Sequence, residues 1–231
     1  MISSYPKVYN LGHKAIVDLL LDPVVVQEKI DWSQVSFGLI SEALEVRSHH
    51  NALYVGGPDK MFAAAVEALK EREALLTPSY IYRGEYLQKP HHNTLKYDRV
   101  PEGHIILFDV DKGNQDYMNA WDLEQEAQKL GLECVSTLFA GTLEAVDTLE
   151  RLLETPSILG GTRVEGVVIK NYHRYGIDGK VLMGKYVREE FKELHKNEWR
   201  KGKPTRGDVV AQLGQVLRTD ARWEKAIQHL R

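Results

Sequence analysis

The chain has 231 residues, 27% of them charged and 43% hydrophobic, with a formal net charge of −3. That length suits one large domain, or one with a small appendage, and the charge balance excludes a uniformly basic nucleic-acid-binding body, so a nucleic-acid site has to be a local patch. Cys134 is the single cysteine, which excludes an intrachain disulfide framework and a cysteine-only zinc cage and fits a reducing, cytoplasmic setting.

MISSYPKVYN lacks the apolar core of a signal peptide, and no apolar run reaches membrane-spanning length. HKAIVDLLL, residues 13–21, carries apolar residues at helical spacing and stops at Asp22-Pro23, which predicts a short helix. From Val24 to Val55 apolar and polar residues alternate as in strands, until VGGPDK ends the pattern. Val24, Val25 and Val26 are β-branched and apolar, yet Glu28, Lys29 and Asp31 follow at once. PDKMFAAAVEALKEREALL reads as a helix with Pro58 near its start. SYIYRGEYL and HIILFDVD are strands, separated by the polar and mobile stretch QKPHHNTLKYDRVPEG. A helix from Asn119 to Leu130, the strand ECVSTLF and the helix LEAVDTLERLLE follow. GGTRVEGVVIKNY and KVLMGKYV are strands flanking a loop, and beyond Arg188 the chain turns helical and basic. Strands adjacent in sequence with helices inserted at intervals indicate an α+β fold with antiparallel sheets flanked by helices.

No G-x-x-x-x-G-K-[ST] is present: the Gly-Lys pairs at 179–180 and 184–185 continue with Val181 and Tyr186. No G-x-G-x-x-G follows a strand, so a nucleotide site here would be built from lysines and carboxylates. The pairs His49-His50 and His91-His92 lack metal-ligand spacing for one helix face and read as surface or loop residues.

Lys29 is the residue that does not fit a buried strand. An ammonium is no nucleophile, and at the ordinary lysine pKa roughly one amine in 2,500 is neutral at pH 7. Partial burial and neighbouring cations both lower that pKa, so a strand lysine beside other basic groups is a candidate nucleophile. By itself it reads first as a lysine on the wet face of an amphipathic strand, since most lysines are exposed. Glu85 in RGEY, Phe108 and Asp109 in LFDV, Glu165 and Lys170 in EGVVIK, and Lys185 in GKYV are each weak signals alone.

Their order carries the signal. EKIDW, VRS, RGEY, LFDV, EGVVIK and GKYV occur in the order and spacing of the lysine nucleotidyltransferases, and the chain resembles that superfamily over residues 5–192. Within it, the glutamate before the lysine, the Arg47-Ser48 pair and the Phe108-Asp109 pair resemble ATP-dependent RNA ligases of the nick-sealing type. The resemblance implies the nucleotidyltransferase (ATP-grasp-like) fold over residues 1–192, with 193–231 a short helical segment, the start of a truncated accessory domain. It implies that Lys29 attacks the α-phosphorus of ATP and holds AMP, which passes to an RNA 5′-phosphate before a 3′-hydroxyl displaces it. Lys170 and Lys185 would face the α-phosphate and depress the Lys29 pKa. Glu165, and Asp31 one strand period beyond Lys29, would hold Mg²⁺ or Mn²⁺. Glu85 would accept from the ribose, Phe108 would stack on adenine, Glu28 would line the base pocket and Arg47 would reach the ribose or the RNA terminus. The implied partner is RNA with 5′-phosphate and 3′-hydroxyl ends, including a nicked duplex, acted on by a monomer without a membrane.

The sequence departs from the family pattern at two places. Trp32 stands where the nucleophile motif carries glycine, and the last motif has Met183 where a second lysine is usual, with Lys180 the nearest substitute. Fewer than fifty residues follow Arg188, too few for the barrel appended to DNA ligases and capping enzymes. The basic run HKNEWRKGKPTRGD, with Trp199 in it, suits either a solvated linker or an RNA-backbone contact. ARWEKAIQHLR ends on a helical pattern without a stop signal, as in the catalytic module of a longer protein. A DNA ligase, a GTP-using guanylyltransferase and a non-catalytic nucleotide- or RNA-end-binding module remain the alternatives at this point.

Overall fold

The computed structural model describes residues 2–49, 51–57, 60–92, 95–143 and 146–188. The chain divides into the units Met1–Arg188 and Glu189–Arg231. The expected basic, helical segment beyond Arg188, Trp199 included, lies outside the described residues, as do His50 and Pro58.

The elements are β1 (Tyr9–Asn10), β2 (Val24–Lys29), β3 (Ser33–Ile40), β4 (Ala43–Ser48), β5 (Ala52–Leu53), α1 (Ala63–Glu71), β6 (Ile81–Tyr86), β7 (His91–His92) and β8 (Leu95–Lys96). They continue with β9 (Ile105–Asp111), α2 (Ala120–Lys129), β10 (Glu133–Cys134), β11 (Thr137–Gly141), α3 (Val146–Leu153), β12 (Gly166–Tyr175) and β13 (Val181–Val187). Two main sheets result, one in the order β1-β13-β12-β2-β11 and one in the order β10-β9-β6-β3-β4-β5. The fold is α+β. Pairing is antiparallel except at two edges, where β1 runs parallel to β13 and β10 parallel to β9. Among the described residues no helix is long and apolar enough to cross a membrane.

Each sheet has its own core, because alternate side chains of a strand point to opposite faces. In the five-stranded sheet Val24, Val26, Val167, Ile169 and Leu182 pack with Leu149 and Leu153 of α3 and with Ile16 and Leu19. In the six-stranded sheet Val35, Phe37, Val46, Tyr82, Ile105 and Leu107 pack with Val66 and Leu69 of α1 and Leu123 and Ala127 of α2. The opposite face of the five-stranded sheet carries the polar set, with Gly166 opposite Lys29 and Val168 opposite both Gln27 and Lys185.

Several expected elements change. The predicted helix over 13–21 is a single 3₁₀ turn, Lys14–Ile16, with the His13 ring accepting from the Ala15 N–H. Ile16 and Leu19 are buried against the sheet and Leu20 partly so, while Val17 and Leu21 stay exposed, so a longer helix would gain little burial. The polar stretch after β6 is no open loop. It forms the β7–β8 hairpin, and Leu95 and Tyr97 within it are buried. ECVSTLF divides between β10 and β11, which belong to different sheets. Lys29 is the last residue of β2, and Asp31 follows in the connection to β3.

β9 carries the irregularity that matters most. Arg83 faces Asp109 while the next residue, Gly84, faces Leu107, so Phe108 is an extra residue in a β-bulge. Leu107 and Val110 both enter the core on one side, and the bulge leaves Phe108 and Asp109 together on the other.

Candidate active site

The polar face of the five-stranded sheet and the bulged side of β9 enclose a cavity of about 590 Å³. Gln27, Glu28 and Lys29 line it from β2, Val168 and Lys170 from β12, and Lys185 from β13. Gln34, Glu85 and Phe108 come from the other sheet, and residues 4–8 form a further wall. Of the residues expected to build a site, Glu28, Lys29, Glu85, Phe108, Lys170 and Lys185 therefore converge.

The Lys29 ammonium donates to Glu165 Oε2 at 2.7 Å and lies 4.0 Å from Asp31 Oδ1. Glu165 is 3% exposed and sits just before β12, so the Gly166–Lys29 pairing brings it to the amine. Burial disfavours the Lys29 charge, but Glu165, Asp31 and Glu85 together outweigh it and hold the amine above the ordinary lysine range. This reverses the expectation that Lys170 and Lys185 depress Lys29. Lys185 is itself depressed, by burial first and by repulsion from Lys29 second.

Lys170 is 1% exposed, and its ammonium donates to Asp109 Oδ2 and to the Phe108 carbonyl, each at 2.9 Å. Burial presses it below the ordinary lysine range, with Asp109 opposing. The Phe108 ring lies 5.2 Å from the same ammonium and meets the edge of Tyr5 at 5.1 Å. Asp109 also accepts from the hydroxyls of Tyr5 and Tyr172.

Two carboxyl groups face the cavity incompletely satisfied. Glu28 accepts from the Ile158 N–H at 3.1 Å through Oε2 and lies beside Ser157, but its buried Oε1 has no hydrogen-bond partner among the described residues. Glu85 Oε2 is likewise buried and without a hydrogen-bond partner among the described residues. Burial raises the pKa of Glu28, and raises that of Glu85 strongly, with Asp31 and Glu165 adding to it and Lys29 opposing. Such groups match ligand donors, hydroxyls or amines, better than they match an apolar filling.

Arg47 lies elsewhere. Its guanidinium donates to the Ile2 carbonyl at 2.9 Å and lines a separate cavity with Glu45 and Tyr54. Met183 is buried in an apolar cluster with Tyr117 and Val181, and Lys180 borders a third cavity, so neither brings a cation to Lys29. Trp32 is half-buried in the connection before β3. Sequence reasoning missed Tyr5 and Lys7, which line the cavity, and the buried Arg83, which donates to the Ser3 carbonyl and Ser36 Oγ at 2.9 Å. An arginine and an aspartate on strands otherwise bound for the core were the available signal.

The donor set suits a divalent cation. Glu165 and Asp31 offer hard carboxylate oxygens around a position now served by the Lys29 ammonium, which fits Mg²⁺ or Mn²⁺. Among the described residues no group of three or more His, Cys, Asp or Glu forms a complete metal cage. Water or phosphate oxygens would have to complete the shell, the usual habit of Mg²⁺.

The family model described as RNA ligase matches residues 22–187. A search of curated protein sequences returned no match. Among solved structures, a Naegleria gruberi RNA ligase with PPi superposes with a TM-score of 0.62 at 18% identity, covering 85% of this chain and 58% of that one. A mutant of the same ligase with ATP and Mn gives a TM-score of 0.62 at 17% identity over 84% of this chain. Another mutant, with AMP and Mn, gives 0.57 at 17% identity over 84%. The chain thus spans 58% of the length of these relatives, and the likeness is one of fold.

Proposed function

The chain belongs to the RNA ligase family, and from that premise we propose that it is an ATP-dependent RNA ligase joining 3′-hydroxyl and 5′-phosphate RNA ends. The observation that carries the reading is the Lys29 amine, which lines the cavity between Glu165 and Asp31 with Lys185 nearby.

In the first step the Lys29 amine attacks the α-phosphorus of ATP. The N–P bond forms as the bond to the bridging oxygen breaks, pyrophosphate leaves, and AMP stays on the lysine as a phosphoramidate. The amine must first lose its proton. Lys29 would give it up to water if Glu165 and Asp31 turned to another cation, because burial and Lys185 would then act on the amine with Glu85 alone opposing them. Glu165 and Asp31 would hold a divalent ion, which would supply charge neutralisation at the phosphates. Lys185 stabilises the charge growing on the nonbridging oxygens. Phe108 offers the adenine a face, Glu85 and Glu28 accept from the ribose and base, and Lys170 fixes Phe108 and Asp109 in place. AMP then moves to an RNA 5′-phosphate and is displaced by a 3′-hydroxyl, and a nick in a duplex is the substrate geometry the family resemblance favours. The reading includes a monomer in a reducing compartment, where the free Cys134 stays a thiol.

Incubation with α-radiolabelled ATP and Mg²⁺, pyrophosphate being removed, is expected to label the protein, and Lys29→Ala to abolish the label. A wild-type chain that stays unlabelled overturns the proposal. Labelling by GTP in preference to ATP, or equal sealing of all-DNA nicks, would transfer it to another class of nucleotidyltransferase.

A further inference from the structure

The two carboxylates at the Lys29 amine are placed by different means. Glu165 precedes β12, and the pairing of Gly166 with Lys29 carries it to the amine. Asp31 lies past the end of β2 and before β3, outside both sheets, yet its Oδ1 stands 4.0 Å from the same amine. Its backbone N–H donates to the Tyr97 hydroxyl at 3.2 Å. That bond ties the connection after Lys29 to the segment just beyond the β7–β8 hairpin, 66 residues away in sequence. Tyr97 does not itself line the Lys29 cavity.

Tyr97 has a fixed base. It is 2% exposed, its N–H donates to the Pro90 carbonyl at 3.0 Å, and the N–H of Asp98 donates to the Leu159 carbonyl at 3.2 Å. A Cβ on Gly161 would meet the Lys96 carbonyl oxygen at 2.5 Å, so residues 96–98 and 159–161 lie backbone against backbone. The second of these segments follows Ile158, whose N–H holds Glu28, and leads on to Glu165. Tyr97 therefore reaches Asp31 from the part of the chain that also places the other two carboxylates. Burial raises the pKa of its hydroxyl, the Asp31 N–H opposes, and the charges of Glu165, Glu28 and Asp31 add to the rise. The hydroxyl thus stays neutral and accepts from the amide without bringing a further charge to the site. A tyrosine kept only to fill space would have no use for that oxygen.

We propose that Tyr97 is a positioning residue of the lysine-labelling step: its hydroxyl fixes the Asp31 backbone and so sets the Asp31 carboxylate to orient the Lys29 amine. The inference rests on the nucleotide reading of the cavity and deepens it. The test uses the full chain and Tyr97→Phe, which keeps the buried ring and removes one oxygen. Amide hydrogen exchange is expected to show the Asp31 N–H protected in the wild type, and Tyr97→Phe to lose about tenfold of that protection. Single-turnover labelling by ATP, measured where the rate no longer rises with pH, is expected to slow about tenfold in Tyr97→Phe, the scale of a small misplacement. The ATP concentration giving half the maximal rate should stay within about twofold. Added to Asp31→Asn, Tyr97→Phe should slow labelling by no more than about a further twofold, because the carboxylate it positions is already gone. An unprotected Asp31 amide in the wild type overturns the proposal, whether or not the variant folds. So does a loss in Tyr97→Phe that multiplies fully onto Asp31→Asn, or one matched by an equal loss in ATP saturation, since either makes Tyr97 merely structural. If the wild-type chain takes no label from ATP, the nucleotide reading falls and the proposal with it. If the wild type labels and Tyr97→Phe labels as fast, only the role of Tyr97 is lost.

Discussion

A lysine nucleophile is useful only when neutral, yet Lys29 rests as a stabilised ammonium. Its partners are Glu165, 136 residues away in sequence, and Asp31. Labelling by ATP is therefore expected to rise from neutral into alkaline pH, and Asp31→Asn to move that rise to lower pH. A pH profile unchanged by the substitution would show that Asp31 does not hold the amine charged. The same pairing contributes to folding. Because the folded-state pKa is raised, the contribution is complete below the ordinary lysine value, about 10.4, and is lost as pH climbs through the higher folded value. The identity of the amine was legible in EKIDW, but its charge state was not. The short sequence around Lys29 shows one acidic neighbour on each side and nothing of Glu165, whose approach depends on the pairing of β2 with β12.

Strand pairing sets the site through two backbone details. The bulge at Phe108 places consecutive residues on one side of a strand, which simple alternation forbids. A sequence reader can therefore find LFDV but cannot tell that Phe108 and Asp109 face the same way. The second detail is Gly166. A Cβ there would meet the Tyr186 carbonyl oxygen at 2.6 Å and the Val187 Cα at 3.0 Å, both backbone. Gly166→Ala should push β12 from β13, cost about 1–3 kcal/mol in urea unfolding and reduce labelling by drawing Glu165 from Lys29. Gly184→Ala is the control: its Cβ would meet the terminal carbon of Leu19 at 2.6 Å and of Ile16 at 3.0 Å, side-chain ends able to rotate aside. A smaller loss at Gly184 is expected, and the reverse order would contradict the packing described. The elements themselves were largely legible from periodicity. The failures, at 13–21 and at the β7–β8 hairpin, came where burial against distant partners decided the outcome.

Across the molecule, two sheets with separate cores are joined beneath the cavity by a buried polar knot. Lys170 and Asp109 are each 1% exposed, and Tyr5 and Tyr172 complete the carboxylate's hydrogen bonds. Removing one member leaves a charge stranded in low dielectric, so Lys170→Met should cost about 3–5 kcal/mol in denaturant unfolding. The double substitution Lys170→Met with Asp109→Leu should recover part of that loss, since neither charge is then buried alone. Full additivity of the two single losses would show that the pair is not coupled. This knot was invisible in the sequence, where Lys170 and Asp109 stand 61 residues apart and each is a weak signal alone.

The edge strand β1 touches only β13 in its sheet, and the wall it carries is tied to β4, β6 and β9. Closing the pocket thus joins segments about as far apart along the described chain as any two can be, which places closure late and makes it slow. After dilution from denaturant, secondary structure by circular dichroism should return before the capacity to take label from ATP. The competence to react is in this sense the last property the polypeptide acquires as it folds.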